Sequence, residues 1–423
     1  MRNIFDQYRH HENRLTHALA CCLSEDRALL TAFIGWAGHP ILPRKDASLH
    51  VVEQRLPGQP EVAEEEEKEE AERSGLPDAW IFDQEGSWAL LIESKVKSPI
   101  DPKQLRRHVR TAERRGYVDC HLVLISIKSP AHPLGEGMSH RLWTDVYQWA
   151  SHFPKTSRWA GRLAEYMEAA ERRMLADQYL LEGTLTTFAG IKFDTENPYG
   201  YTEAKRQLKL LMEQLKTRKQ LKTQLGADIA AQGRAAITGR GRESVWDFMP
   251  LAIASDSAAF TSHPQLTLAI RRDHVTVQIT IPNGLDPRLR KLLLADGFDG
   301  FKADAGAFII GISKVLQRDI GASPFIAIVQ RHYASQRSEP VRDAVLEFDP
   351  RTAVNSTTAV KYQEDWLRAT HAAFSKRRSN LQIGIGVTFP YHSSTSVRTA
   401  EFVDAIELTW LACRPILHWM NLV

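Results

Sequence analysis

The sequence predicts an α/β fold: an N-terminal α/β/α layered domain with a mixed sheet, followed by a C-terminal α/β or α+β domain. Apolar runs of strand length alternate with helical patterns up to about position 185. A chain of 423 residues with 43% hydrophobic and 25% charged residues has the composition of a globular protein of two or three domains. The formal net charge is only +3, but acidic and basic residues lie in separate parts of the chain. We therefore predict three segments, residues 1–185, 186–242 and 243–423.

The first segment is predicted to form the layered domain. Apolar runs at 79–82 and 88–96 are joined by the turn-forming sequence DQEG, which predicts a β-hairpin. Asp101 and Pro102 are favoured at the start of a helix, so a helix is predicted from there to about position 115. The other predicted elements are helices over 12–23, 25–36, 142–153 and 158–181 and strands over 49–56 and 121–127.

The second segment is predicted to be a basic helical linker. Apolar residues recur at helical spacing between lysines and arginines, and the Gly/Arg-rich stretch 233–242 is typical of a loop. One interpretation is a solvated amphipathic helix that bridges two domains, and the other is a surface that contacts phosphate groups. Under the second interpretation the residues predicted to bind nucleic acid are Lys205, Lys209, Lys216, Lys219, Arg240 and Arg242.

The third segment mixes alternating strand patterns with helical patterns, which predicts a second α/β or α+β domain. It contains no repeat and no recognisable motif, so recognition, regulation and oligomerisation all stay open as its role. The predicted strands lie within 266–281, 325–330 and 381–389, and the predicted helices lie at 287–294, 362–375 and 400–413.

The motifs that the sequence lacks exclude several classes of protein. No apolar run approaches the roughly 18 residues of a membrane span, and the N-terminus has no signal-peptide pattern. The four cysteines form no ligand pattern, which is typical of a reduced cytoplasmic protein. There is no nucleotide-binding P-loop, no H-E-x-x-H motif and no G-x-S-x-G motif.

Four residues around the predicted hairpin carry a candidate chemistry. Asp78 follows a proline at the start of one strand, while Glu93, Ser94 and Lys95 end the next. Residues two apart on a strand share a face, so Glu93 and Lys95 emerge together, and antiparallel pairing brings Asp78 close to them. A salt bridge at a sheet edge is the alternative interpretation. The stronger one is a metal site, because two carboxylates suit Mg²⁺ and the Ser94 carbonyl can add a further ligand.

This arrangement resembles the PD-(D/E)XK nuclease superfamily, in particular its restriction and defence branches. The resemblance also covers the sequence ENRLTHAL at 12–19, the sequence QLRRH at 104–108 and the sequence LWTDVY at 142–147, so it extends over about residues 6–181. It implies a restriction-endonuclease-like α/β/α core. It also implies catalytic roles for Asp78, Glu93 and Lys95 and accessory roles for Glu12 and Gln104. Glu12 can instead complement a helix dipole, and Gln104 can be a plain exposed helix residue.

The resemblance implies a metal-dependent nuclease that uses Mg²⁺ or Mn²⁺ and hydrolyses phosphodiester bonds, with DNA favoured over RNA. Its expected setting is prokaryotic defence or restriction, in the cytoplasm, as a homo-oligomer or with a partner subunit. The alternative is a catalytically inactive nucleic-acid-binding or assembly subunit that retains the fold. The acidic tract at 61–72 is predicted to be a solvated loop, and its alternative is a nucleic-acid mimic that shields the active site.

Overall fold

The computed structural model describes residues 4–53, 76–154, 156–180, 182–230, 237–238, 242–251, 262–334, 340–354, 363–376 and 381–419. The chain divides into two compact units, Met1–Thr187 and Phe188–Val423. The α/β class is confirmed, since each unit contains a sheet packed with helices. The acidic tract at 61–72 lies outside the described residues.

The first unit is a five-stranded mixed sheet between two layers of helices. Its helices are α1 (His11–Glu25), α2 (Arg27–Ala37), α3 (Pro102–Arg114), α4 (Trp143–His152) and α5 (Arg158–Ala176). Its strands are β1 (Leu49–Glu53), β2 (Ala79–Asp83), β3 (Trp88–Lys95), β4 (Asp119–Ser126) and β5 (Met138–Leu142), which lie side by side in chain order. Strands β1 to β3 are antiparallel, whereas β3, β4 and β5 are parallel, so the mixed sheet and the hairpin are confirmed.

The two faces of this sheet have separate cores because side chains alternate along each strand. One face carries Ile81, Leu90 and Ile92, which pack with residues of α1, α2, α4 and α5. The other face carries Trp80 and Leu91, which pack with residues of α3. The second face is therefore covered by α3. Asp78, Glu93 and Lys95 lie on this face, at one end of strands β2 and β3.

Strand β5 was not predicted, because its sequence MSHRL has no apolar alternation. In the structure all five of its residues are only half-buried. Polar contacts with the end of α2 hold it instead. Arg141 donates from Nη2 to the Trp36 carbonyl at 2.6 Å, and Ser139 Oγ donates to the Ala37 carbonyl at 2.7 Å. These partners lie about a hundred residues away, beyond the reach of a local pattern.

The second unit is built on a seven-stranded antiparallel sheet. Its strands are β6 (Ile237–Thr238), β7 (Ser244–Pro250), β8 (Gln265–Arg271), β9 (His274–Ile281), β10 (Ser323–Tyr333), β11 (Pro340–Phe348) and β12 (Leu381–Pro390). They lie in the order β11-β10-β12-β9-β8-β7-β6. Its helices are α6 (Tyr201–Lys216), α7 (Lys219–Leu225), α8 (Pro287–Leu293), α9 (Gly297–Gly311), α10 (Ser313–Arg318), α11 (Arg351–Val354), α12 (Glu364–Ser375), α13 (Phe402–Ala412) and α14 (Arg414–Trp419).

The prediction of a separate linker at 186–242 is wrong for its helical part. Helices α6 and α7 belong to the second unit, because Leu208, Leu211 and Leu215 are fully buried in the same core as strands β7 and β8. The leucine spacing was interpreted correctly as helical. Its apolar face is a core face, and the change from one unit to the next falls at Thr187.

Candidate active site

The pairing register of β2 and β3 places the candidate residues at one end of the hairpin. Ala79 pairs with Ile92, so the next step of the antiparallel register sets Asp78 opposite Glu93. Glu93 and Lys95 lie on the same side of β3 as Leu91, which is the side covered by α3. The structure therefore brings Asp78, Glu93 and Lys95 together, at a point where apolar strands end in charged residues.

Glu93 is the centre of this cluster and is almost fully buried, with 1% of its surface exposed. Its Oε1 lies 2.7 Å from Lys95 Nζ, and its Oε2 lies 3.4 Å from His108 Nε2. Burial would raise the pKa of Glu93, but His108 and Lys95 lower it below its ordinary value. Glu93 is therefore a carboxylate held ionised inside the protein by one cation from its own strand and one group from α3.

Asp78 is half-buried, and its Oδ2 accepts a hydrogen bond from the Ser94 backbone N–H at 2.8 Å. Burial and the nearby charge of Glu93 raise the pKa of Asp78 well above its ordinary value, against the opposing effect of Lys95. Asp78 and Glu93 repel each other when both are ionised, and the positive charge of Lys95 attracts both of them. Ser94 itself positions Asp78 through its N–H, and the metal role of its carbonyl stays a prediction.

Glu12 holds the loop that follows β3. Its Oε1 accepts backbone hydrogen bonds from Val96 at 2.5 Å, Lys97 at 2.7 Å and Ser98 at 3.0 Å. Its Oε2 accepts the Ser98 hydroxyl at 2.8 Å. Burial opposes the shift, but these hydrogen bonds lower the pKa of Glu12. The geometry gives Glu12 a positioning role, because both of its oxygens are occupied by the loop next to Lys95.

Helix α3 contributes the residue that the sequence reasoning missed. His108 is buried against Glu93 and lies one helical turn after Gln104, which is half-buried on the same side of the helix. The spacing of four between Gln104 and His108 was visible in the sequence. This spacing points to the site only because α3 covers the face of the sheet that carries Glu93.

The outer side of α3 is strongly basic. Asp101 caps the helix by accepting from the Lys103 N–H at 2.8 Å, and the exposed residues that follow are mostly cations. The exposed basic residues of α3 and its C-terminal end are Lys103, Arg106, Arg107, Arg110, Arg114 and Arg115. Within the part of the chain that the structure describes, none of these six residues forms an ion pair.

The residues predicted to bind nucleic acid in the second unit are less available. Lys216 pairs with Glu213 at 2.9 Å, and Lys205 lies 5.5 Å from the centre of the Tyr201 ring. Lys209 is half-buried, whereas Lys219 is exposed. Arg242 is exposed and lies 5.3 Å from the same Tyr201 ring, and Arg240 lies outside the described residues. Their contact with nucleic acid stays a prediction.

The donor set of the cluster fits Mg²⁺ or Mn²⁺. Asp78 and Glu93 offer carboxylate oxygens, which are the ligands that these hard cations prefer. Glu93 Oε2 is buried, and its 3.4 Å contact with His108 Nε2 is longer than an ordinary hydrogen bond, so this oxygen keeps a lone pair for a cation.

A second group of potential metal ligands was also missed. His17, Cys21 and Glu53 offer ligand atoms that all lie within 4.8 Å of one another. The spacing of the cysteines gives no ligand pattern, because the potential partners of Cys21 are a histidine and a glutamate. His17 and Cys21 are four residues apart on α1, a spacing visible in the sequence, but Glu53 comes from β1.

Among the described helices, none combines the length and the apolar character needed to cross a lipid bilayer. Comparison of the chain with protein-family models and with curated proteins gave no match.

Proposed function

We propose that the first unit is a metal-dependent nuclease that hydrolyses phosphodiester bonds in nucleic acid. The observation that carries this proposal is the convergence of Asp78, Glu93 and Lys95 at one end of the β2–β3 hairpin. Glu93 is buried, with Lys95 at 2.7 Å and the carboxyl group of Asp78 opposite it. Removing these charged groups from water costs desolvation free energy, which lowers the stability of the fold. Such clusters of perturbed titratable groups are concentrated at functional sites.

Each residue has a distinct role in the proposed reaction. Asp78 and Glu93 would hold the metal ion, which supplies charge neutralisation at the phosphate and a more acidic water when bound. Lys95 holds a proton on Nζ and can orient the attacking water or stabilise charge that develops on the phosphate. His108 fixes the Glu93 carboxylate from the opposite side, and Glu12 fixes the loop behind Lys95.

The basic side of α3 supports a polyanionic substrate. Its cations are exposed and unpaired with described acidic residues, and the same helix sets His108 against Glu93. Arginine and lysine side chains that contact phosphates contribute affinity that does not depend on base sequence. These contacts fit DNA and RNA equally, so the preference for DNA and the setting in prokaryotic defence or restriction rest on the PD-(D/E)XK resemblance.

The test is a cleavage assay with the purified full chain on labelled single- and double-stranded DNA and RNA. We expect cleavage with Mg²⁺ or Mn²⁺, little with Ca²⁺ and none with excess chelator. Glu93→Gln should lower the rate at least about 100-fold, in line with the loss of a group that stabilises the transition state. Glu182→Gln, which changes an exposed glutamate elsewhere in the same unit, is the matched control.

Two outcomes of this assay contradict the proposal. Full cleavage in excess chelator excludes the metal mechanism, and equal rates for wild type and Glu93→Gln exclude the cluster as the active site. Tight binding of nucleic acid without cleavage in any of the metals would instead assign the chain to the alternative, a catalytically inactive binding or assembly subunit.

A further inference from the structure

A compact cluster of three metal-binding residue types lies where helix α1 meets strand β1. His17 and Cys21 are one turn apart on α1, and Glu53 is the last residue of β1. His17 Nδ1 lies 3.0 Å and 2.9 Å from the two carboxylate oxygens of Glu53. Cys21 Sγ lies 3.6 Å from Nδ1 and 3.5 Å from Nε2 of the same ring. One imidazole is thus shared by a thiol and a carboxylate.

The surroundings hold this ring while leaving the cluster accessible. His17 is buried, with the Tyr8 ring at 5.3 Å and the Phe5 ring at 6.5 Å in edge-on contact. Cys21 and Glu53 are only half-buried, so an ion can enter from solvent. The neighbouring thiol of Cys22 is fully buried in the apolar core and does not belong to the cluster.

The distances are close to those in the ligand shell of one small tetrahedral ion, which the cluster can reach by small side-chain movements. With Zn–S near 2.3 Å and Zn–N near 2.0–2.1 Å, tetrahedral angles separate the sulfur from the nitrogen by about 3.5 Å. Cys21 Sγ lies at that separation from His17 Nδ1, and because it lies as close to Nε2, the ring has to turn for Nδ1 to face both the sulfur and the Glu53 oxygens. Nitrogen and oxygen ligands are expected about 3.4 Å apart, and the Glu53 oxygens at 2.9–3.0 Å need to move outward by only a few tenths of an ångström.

The ligand types distinguish this cluster from the one at Asp78 and Glu93. Thiolate and imidazole are soft and borderline ligands that suit Zn²⁺, whereas carboxylates without sulfur or nitrogen suit Mg²⁺. Three protein ligands leave the fourth tetrahedral position for water. Binding would displace the proton of the Cys21 thiol and any proton from the coordinating nitrogen of His17, so affinity should rise with pH.

We propose that His17, Cys21 and Glu53 form a second metal site, which binds one Zn²⁺ and ties helix α1 to strand β1. Helix α1 also carries Glu12, whose carboxylate holds the loop after β3. An ion at this site therefore fixes the helix from which Glu12 reaches that loop. The proposal does not depend on nuclease activity.

The test uses Co²⁺ as a spectroscopic substitute for Zn²⁺ on the full chain, in a Glu93→Gln background that weakens metal binding at the other cluster. We expect one equivalent to produce the visible bands of tetrahedral Co²⁺ and a near-ultraviolet thiolate-to-cobalt charge-transfer band. Zn²⁺ should displace the Co²⁺ and remove both. Cys21→Ser should lose the charge-transfer band and weaken Zn²⁺ binding at least tenfold, whereas Cys120→Ser, a half-buried cysteine elsewhere in the unit, should retain both.

A second measurement needs no variant and so does not depend on the folding of Cys21→Ser. Peptide mapping after alkylation should show Cys21 modified in chelator-treated protein and protected by one equivalent of Zn²⁺. Absence of the charge-transfer band, its persistence in Cys21→Ser, or equal alkylation of Cys21 with and without Zn²⁺ would each overturn the proposal. The last result would leave His17, Cys21 and Glu53 as a metal-free ion-pair network.

Discussion

Two helices of this protein carry dense positive charge, and the structure places that charge in different surroundings. On α3 the cations point outward and none pairs with a described acidic residue, while the inward side presents His108 to Glu93. On α6 the apolar side fills the core of the second unit, and cations such as Arg206 and Lys216 are paired with glutamates on the same helix. The cations of α3 thus form an exposed surface, whereas cations of α6 are paired with glutamates of their own helix.

This difference concerns exposure and pairing, which charge density in the sequence does not show. The α6 region stood out because its lysines and arginines extend over a long stretch. An exposed cation that has no acidic partner contacts phosphate most readily, and α3 carries such cations on the helix that also sets His108 against Glu93. We therefore expect α3 to dominate nucleic-acid affinity and α6 to contribute mainly to stability.

The largest effect on binding is expected from neutralising α3. Replacing Arg106, Arg107 and Arg110 together by Gln removes exposed charge without touching the buried side of the helix. We expect affinity for nucleic acid to fall at least about tenfold at low salt, with the salt slope reduced by about 0.9 for each lost phosphate contact. Titrations at several salt concentrations measure both. An unchanged slope would remove α3 from the binding surface.

An intermediate effect, on stability, is expected from two buried side chains, His108 of α3 and Arg206 of α6. His108→Ala leaves the buried Glu93 without its partner on α3, which should cost about 3 kcal/mol of unfolding free energy and also slow cleavage. Arg206→Met in α6 removes the partner of Glu203, with a cost of about 1–3 kcal/mol and no change in the cleavage rate of the folded protein.

Denaturant unfolding and cleavage assays on the same preparations separate these two effects. If His108→Ala lowered stability but left cleavage at the wild-type rate, His108 would have only a structural role. If Arg206→Met slowed cleavage in fully folded protein, the second unit would have a part in the reaction that its core position does not explain.

The smallest effect is expected from the lysines that the sequence singled out. Replacing Lys205, Lys209, Lys216 and Lys219 by Gln should change affinity for nucleic acid less than about threefold, since only Lys219 is exposed. This variant removes more charge than the triple α3 variant and is its matched control. A larger loss here than in the α3 variant would reverse the comparison and restore 202–242 as the binding segment.

The parts of the site that depend on local pattern could be predicted from the sequence. The two strands around the DQEG turn, the capped start of α3 and the placing of Glu93 and Lys95 on one face all follow from short-range alternation and turn chemistry. These features include the elements that hold the proposed catalytic residues.

The parts that depend on distant partners could not be predicted. The proposed role of His108 depends on Glu93, which lies on a strand, and the proposed role of Cys21 depends on Glu53, more than thirty residues later. Strand β5 is held by polar bonds from Arg141 to α2. A single sequence shows which residues can make such contacts, but the packing of helix on sheet decides which of them do.

The most direct test of the central claim compares Lys95→Ala with Lys128→Ala. Lys95 contacts Glu93 at 2.7 Å, whereas Lys128 is an exposed lysine of the same unit that pairs with Glu182. Cleavage and binding of the same labelled nucleic acid are measured for both variants, with folding checked by circular dichroism. We expect Lys95→Ala to bind within about threefold of wild type but to cleave at least about 100-fold more slowly, and Lys128→Ala to match wild type in both. Wild-type cleavage by Lys95→Ala, with contaminating nuclease excluded, would contradict the assignment of this cluster as the active site.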